Sequence, residues 1–389
     1  MLLSLAVVFI AGFFMADIFG RLKLPKIIGM LVAGILTGSY VLDWLDPSLL
    51  EISAELRRIA LIVILIKAGL SLNLSDLKKV GIPALMMSFV PACLEIAGYM
   101  IFAPLLLGLT RTESAVMGAV LSAVSPAVVV PRMVNLIEEK TGTKKGIPQM
   151  IMAGASCDDI FVIVLFSAFT AMAQGDKVSI SDFADIPVSI VLGVILGIIS
   201  GFAITLIFRT TGDTVIKAVL MLSLSFLLIT AEDSLKKYIA VSGLPAVVSM
   251  ACIVKIKNNS EPLSRVFGKI WIPAEVLLFV LVGSAVDIRY TTQAGAEAVA
   301  MIFIALTFRA VGVLICTVGT EFNRKERLFC VIAYLPKATV QASIGAVPLS
   351  LGLPCGKIVL SVAVLAIIIT APLGAIGIDM TKVRFLEKE

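Results

Sequence analysis

The sequence predicts an all-α integral membrane protein of about thirteen transmembrane helices, arranged as inverted six-helix repeats with two interrupted crossing helices. Three observations carry that prediction. Hydrophobic residues make up 59 % of the 389 and charged residues 15 %, against roughly 25 % charged in a soluble domain. Mean hydropathy is +1.07. Apolar stretches of about 18 residues or more, each long enough to cross a bilayer, recur from end to end.

The segments fall at 2–20, 25–42, 56–74, 80–108, 112–139, 146–174, 186–209, 214–235, 239–256, 266–288, 293–319, 327–352 and 357–379. No basic stretch precedes segment 1, so a true span is expected there in place of a cleaved leader. No soluble domain of ordinary size fits between segments and no long tail follows them, so a nucleotide-binding module is expected only on a separate chain. Basic residues are scattered over short loops, which argues against a nucleic-acid partner and leaves membrane lipids as the surroundings. Six cysteines without paired spacing and a lack of histidine argue against disulfides and a resident metal, so no cofactor is expected.

Charge sets the expected orientation. Loops after odd-numbered segments, with the C-terminus, hold about 21 of the 32 basic residues, among them Arg21, Lys23, Lys78, Lys79, Lys140, Lys144, Lys145 and Arg324. The opposite loops hold about 8, including Arg57, Arg58, Arg111 and Arg289. The N-terminus is therefore expected outside a plasma membrane and the C-terminus in the cytoplasm. With segment 7 in the middle, segments 1–6 and 8–13 would be inverted repeats. Gly69 is followed by Asn73-Leu74 as Gly283 is followed by Asp287-Ile288, and Pro126 and Pro336 interrupt the fifth member of each half. Paired interruptions of this kind mark secondary transporters, whose sites lie at the breaks.

Ionisable side chains at mid-membrane cost about 2.5–3.5 kcal/mol each on insertion scales, so the few present here point to function. Asp158 and Asp159 are adjacent near the centre of segment 6. Neighbours on a helix point about 100° apart, so the two cannot share a proton face to face. One is expected to face a water-filled cavity and the other a base. Carboxylate oxygens suit a hard cation. Ser125, Pro126 and Pro131 interrupt segment 5 and free carbonyls that could serve the same ion. Pro336 interrupts segment 12, where Lys337 would offset exposed carbonyls or pair with an aspartate. Glu95 and Arg309 are each mid-span in the fourth member of their halves, which predicts an intramembrane ion pair of structural character. Lys67 reads as structural or interfacial.

Together these residues resemble the cation/proton antiporter superfamily and, within it, the monovalent Na⁺/H⁺ exchangers. The run Ala155-Ser156-Cys157-Asp158-Asp159 resembles that family's Asp-Asp ion-binding motif. Ser125-Pro126-Ala127-Val128-Val129-Val130-Pro131, Ile66-Lys67-Ala68-Gly69-Leu70 and Leu335-Pro336-Lys337-Ala338-Thr339-Val340-Gln341-Ala342 are similar to its NHA-type branch. The resemblance spans essentially the whole chain. It implies a homodimer in which 1–75 and 210–290 form a dimerisation domain, 80–175 and 293–380 an ion-transporting core, and 185–209 a linker helix. It implies elevator-type movement of that core. It maps the family's ion-binding aspartate onto Asp159 and its partner acid onto Asp158. Many electrogenic members carry a mid-membrane lysine in the eleventh segment. Arg309 stands there in this chain, which leaves Lys337 as the titratable alternative.

The expected mechanism is competition. Na⁺ or Li⁺ binds deprotonated Asp159 with help from Asp158, Ser125 and carbonyls near Val128, and protons displace it on the other side. Two acids permit two protons per cation and hence an electrogenic cycle, unless one is locked to Lys337 or Arg309. K⁺/H⁺ exchange is the alternative within this class, and sodium-coupled uptake of an organic solute the alternative outside it. An enzyme is not expected: an intramembrane aspartyl protease would need GxGD, and a nucleotide-driven pump a Walker A motif, and neither occurs.

Overall fold

The computed structural model describes residues 1–22, 24–71, 81–175, 180–235, 241, 243–258, 260–287 and 295–388. Asn73 and Ile288 of the paired glycine motifs, and Lys23, Lys78, Lys79 and Arg289 of the loops, lie outside the described residues. The helices are α1 (Leu2–Arg21), α2 (Lys26–Thr37), α3 (Pro47–Glu51), α4 (Ser53–Ser71), α5 (Ile82–Met87), α6 (Val90–Leu107), α7 (Arg111–Leu121), α8 (Pro126–Glu138) and α9 (Ile147–Ala173). They continue as α10 (Ile180–Thr210), α11 (Thr214–Leu235), α12 (Gly243–Lys257), α13 (Glu261–Ser284), α14 (Gly295–Cys316), α15 (Arg324–Ala333), α16 (Thr339–Ile344), α17 (Val347–Ser350) and α18 (Gly356–Phe385).

Among the described residues, eight helical stretches are long and apolar enough to cross a membrane. The other expected segments fall short for readable reasons. The helices of segments 2 and 9 have 12 and 15 residues. That of segment 3 carries Glu55, Arg57, Arg58 and Lys67. Segments 5 and 12 are each split into shorter helices. Segment 4 also divides, into α5 and α6, at Ser88-Phe89 just before Pro91, a break the sequence reading did not anticipate.

The chain forms two compact units. The first comprises Met1–Ala54, Asn73–Gln174 and Phe279–Glu389, and the second Glu55–Leu72 and Gly175–Leu278. In the first, α6 packs along α14, α7 against α6 and α9, and α18 against α15. Close approaches are made by small residues, as membrane helix pairs require: a Cβ at Gly34 would meet the Val280 carbonyl, and one at Gly283 the Leu31 carbonyl. In the second unit α12 packs on α10 and α11, and the Lys67 ammonium lies 5.6 Å from the Trp271 ring centre. Each unit also exposes apolar side chains, Leu2, Leu3 and Phe14 in the first and Ile199, Phe202 and Leu206 in the second, as a lipid-facing surface does.

Candidate functional site

The two split segments begin alike. A capping box starts α7, where Glu113 N–H donates to Thr110 Oγ1 at 3.3 Å and Thr110 N–H to Glu113 Oε2 at 2.9 Å. Another starts α15, with Glu326 N–H to Asn323 Oδ1 at 2.9 Å and Asn323 N–H to Glu326 Oε2 at 2.7 Å. Such boxes satisfy orphan donors at a helix start. Each segment then breaks, the first at Ser122–Ser125 and the second at Tyr334–Ala338.

The first break lies upstream of the position expected from its prolines. Pro126 is the first residue of α8, where its fixed φ and missing N–H are favourable, and a residue before proline is biased away from helix. Helix α8 then runs on through Pro131, which is not a break. The Val128 carbonyl accepts from Arg132 Nη1 at 2.9 Å and so is already engaged within α8. Carbonyls freed by the break belong to residues just before Ser125, not to the neighbourhood of Val128.

The two breaks meet: Ser125 N–H donates to the Pro336 carbonyl at 2.8 Å. Unpaired backbone groups at membrane depth must find partners, and most of these do so through buried side chains. The Ser122 carbonyl accepts from Arg309 Nη1. Arg309 Nε donates to the Tyr334 carbonyl at 2.6 Å. Val124 N–H donates to Asp158 Oδ2 at 2.7 Å. Lys337 N–H donates to Thr370 Oγ1, on α18, at 2.9 Å. Gln341 accepts from Ala338 N–H at 2.8 Å and donates to the Ala123 carbonyl at 2.9 Å. Helix α18 lies so close that a Cβ at Gly374 would collide with the Pro336 ring.

Four charges run through this crossing. Arg309 Nη2 lies 3.0 Å from Asp158 Oδ2 and Nη1 2.8 Å from Glu95 Oε2. Lys337 Nζ lies 2.6 Å from the same Glu95 oxygen. All four side chains are buried. The expected Glu95–Arg309 pair is present, and it is part of a longer chain, Asp158–Arg309–Glu95–Lys337. Lys337 meets the glutamate rather than an aspartate. Two acids and two bases balance, and the pairing that a buried charge requires is supplied within the set. Tyr334 adds its ring, 5.3 Å from the guanidinium carbon.

Asp159 stands apart. It is 8 % exposed against 0 % for Asp158, and among the described residues it forms no ion pair and its Oδ1 meets no donor. Its Oδ1 is buried without a partner, as are Asp158 Oδ1, Ser125 Oγ and Thr339 Oγ1. These are oxygen atoms, the donors that a hard cation takes. The sequence reading found Asp158, Asp159, Ser125, Glu95, Arg309 and Lys337. It missed Gln341, Tyr334, Ser122, Val124 and Thr370, whose parts are played by neutral side chains or by the backbone. For Gln341 the readable signal is a polar residue three positions after Ala338, just beyond a proline break.

Comparisons with known proteins place the chain in a family. The family described as sodium/hydrogen exchanger, transmembrane, matches residues 5–381. Sodium/hydrogen exchanger 9B2 of Mus musculus is 32 % identical over 407 residues, covering 100 % of this chain and 74 % of its own length. The human 9B2 protein is 33 % identical over 377 residues, covering 94 % of this chain and 70 % of its own. The structure of the sodium proton antiporter MjNhaP1 from Methanocaldococcus jannaschii at pH 8 superposes with a TM-score of 0.86 over 98 % of this chain and 97 % of that one, at 19 % identity, and shows the fold is shared. The chain therefore belongs to the transmembrane sodium/hydrogen exchanger family and is a multi-pass cation/proton antiporter.

Proposed function

We propose that the chain exchanges Na⁺ or Li⁺ for H⁺ at Asp159, with the two ions competing for its carboxylate. The observation that carries this reading is the unpartnered, buried Oδ1 of Asp159 beside a network in which every other charge is paired. An uncompensated carboxylate away from water is costly. A proton or a monovalent cation neutralises it, and either makes the site electrically balanced. Ser125 Oγ and Asp158 Oδ1, also buried without a partner, are the candidates in the sequence motifs for further ligands. Val128 is the weaker candidate, because its carbonyl already accepts from Arg132.

The pairing of Asp158 weighs against the electrogenic cycle expected from two free acids. Asp158 is bonded to Arg309 and to Val124 N–H, and Lys337 is bonded to Glu95. One acid is left to cycle, which favours one proton per cation and no net charge moved. The network and both breaks lie in segments 4, 5, 6, 11 and 12, within the 80–175 and 293–380 core. Their mutual hydrogen bonds favour carriage of the ion by that core as one elevator body. Its partner in the cycle is a dimerisation domain of 1–75 and 210–290 joined by 185–209, in a homodimer set in the plasma membrane with the N-terminus outside.

Reconstitution in liposomes tests this. A Na⁺ or Li⁺ gradient should drive proton flux whose rate is the same at several clamped membrane potentials, and Asp159→Asn should abolish it. Flux that changes with voltage would restore a second cycling proton. Exchange by Asp159→Asn would remove the ion from this site altogether. Apparent affinities for Na⁺, Li⁺ and K⁺ separate this reading from K⁺/H⁺ exchange.

A further inference from the structure

The geometry points to Gln341 as a positioning residue that sets cation affinity by joining the two broken helices. Gln341 is the third residue of α16 and is fully buried. Its Oε1 accepts from Ala338 N–H at 2.8 Å, the backward half of a capping box. Its Nε2 donates to the Ala123 carbonyl at 2.9 Å and reaches the Leu121 carbonyl at 3.4 Å. The amide orientation is fixed by these partners, since an N–H lies on one side and two carbonyls on the other.

Gln341 thus spends both ends of one neutral side chain on the two breaks, with Ala338 in the second and Leu121 and Ala123 bordering or within the first. Between Ala123 and Ser125 lies Val124, whose N–H is bonded to Asp158. Ser125 follows, its N–H tied to Pro336 and its Oγ unpartnered and buried. The Ser125 hydroxyl and the Asp158 carboxylate are therefore positioned from one short stretch of backbone, which is pinned by Gln341 on its carbonyl side. Arg309 pins the same stretch at Ser122, but it also carries charge. Gln341 carries none, so its replacement leaves the electrostatic balance intact and changes only the placement of groups around Asp159.

This inference rests on the proposed Asp159 site, and the test separates the two. In Gln341→Leu, which keeps the volume and loses both hydrogen-bonding ends, the apparent KM for Na⁺ should rise about fivefold, the worth of a hydrogen bond of ordinary strength. The ratio of apparent Li⁺ and Na⁺ affinities should change with it, since the two ions differ in the cage they need. In Gln341→Met, equally neutral and likewise without either hydrogen-bonding end, the same shift is expected. Hydrogen–deuterium exchange without added Na⁺ or Li⁺ should quicken in peptides covering 121–125 and 336–341 in Gln341→Leu. A folded Gln341→Leu with unchanged KM, unchanged Li⁺/Na⁺ ratio or unchanged exchange overturns the proposal. If the leucine variant does not fold, the same readouts on Gln341→Met decide it. Failure of the Asp159 reading would appear instead as ion exchange that survives Asp159→Asn.

Discussion

Asp158 and Asp159 occupy consecutive positions on α9 and nearly the same depth of burial, yet they face different surroundings. Asp158 points into the crossing, where a backbone N–H and the Arg309 guanidinium hold one of its oxygens. Asp159, about 100° further round the helix, meets none of the four network charges in an ion pair. The first acid is part of what holds the broken helices together, and the second is left with a buried oxygen that no donor satisfies. Burial alone does not make an acid functional in a membrane. Its partners decide whether its charge is available.

The widest separation of the two is expected from asparagine at each. Asp159→Asn should show no measurable exchange in liposomes and yet fold as well as the parent protein, because no ion pair is lost. It should also lose the stabilisation that Na⁺ or Li⁺ gives the parent, about 2.7 kcal/mol at 100 times the Kd and seen as a raised melting temperature. Asp158→Asn should do the reverse in kind. It leaves Arg309 and Lys337 sharing Glu95, and breaking a buried pair this way costs about 3–5 kcal/mol. Its folded yield and melting temperature in detergent should fall. A stable Asp158→Asn beside an unstable Asp159→Asn would invert the assignment.

A smaller effect sharpens the same contrast. Glu95 carries both Arg309 and Lys337 on one oxygen, so Glu95→Gln leaves Lys337 without its acid and Arg309 with Asp158 alone. Removing Lys337 as well, in Glu95→Gln with Lys337→Met, takes away the stranded charge. The double variant should be more stable than the sum of the single losses predicts, with a coupling of roughly 1–3 kcal/mol. Additive losses would mean that Lys337 is satisfied by something other than Glu95.

Much of this site is legible in the sequence because membranes make charge conspicuous. Glu95, Asp158, Asp159, Arg309 and Lys337 stand out from apolar surroundings one by one, and matched depth in the two halves predicts the Glu95–Arg309 pair. What the sequence leaves open is which base meets which acid. The Arg309 fork reaches Asp158, Glu95 and two carbonyls at once, and only the folded crossing shows that. Proline indicates a break but not its side: at Pro126 the helix begins, and at Pro131 it continues. Ser88-Phe89 breaks segment 4 without a proline at the break itself. Gln341 stayed hidden because it is a neutral residue in a motif whose lysine draws the eye. The capping boxes Thr110–Glu113 and Asn323–Glu326, by contrast, are written plainly as a cap residue followed three positions later by glutamate.

The smallest expected effect comes from an ion pair at the rim, where Lys145 Nζ lies 2.9 Å from Glu326 Oε1. It offers a control for the buried network. The hydrogen bond to Glu326, with the negative charges of Glu326, Glu387 and Glu321, holds the Lys145 ammonium above the usual lysine range. A raised folded value means that the pair's contribution is complete below the ordinary lysine pKa of about 10.4 and is lost as pH rises through the raised one. Lys145→Met should therefore melt slightly below the parent at neutral pH, by an amount that salt reduces, and the two should converge in strong alkali. The apparent affinity for Na⁺ should be the same in both, because Glu326 caps α15 a full ten-residue helix away from the break at Tyr334. A changed affinity in Lys145→Met would show that the rim is coupled to Asp159 through α15. The distinction between charges that hold the site and the one charge it holds would then extend beyond the crossing.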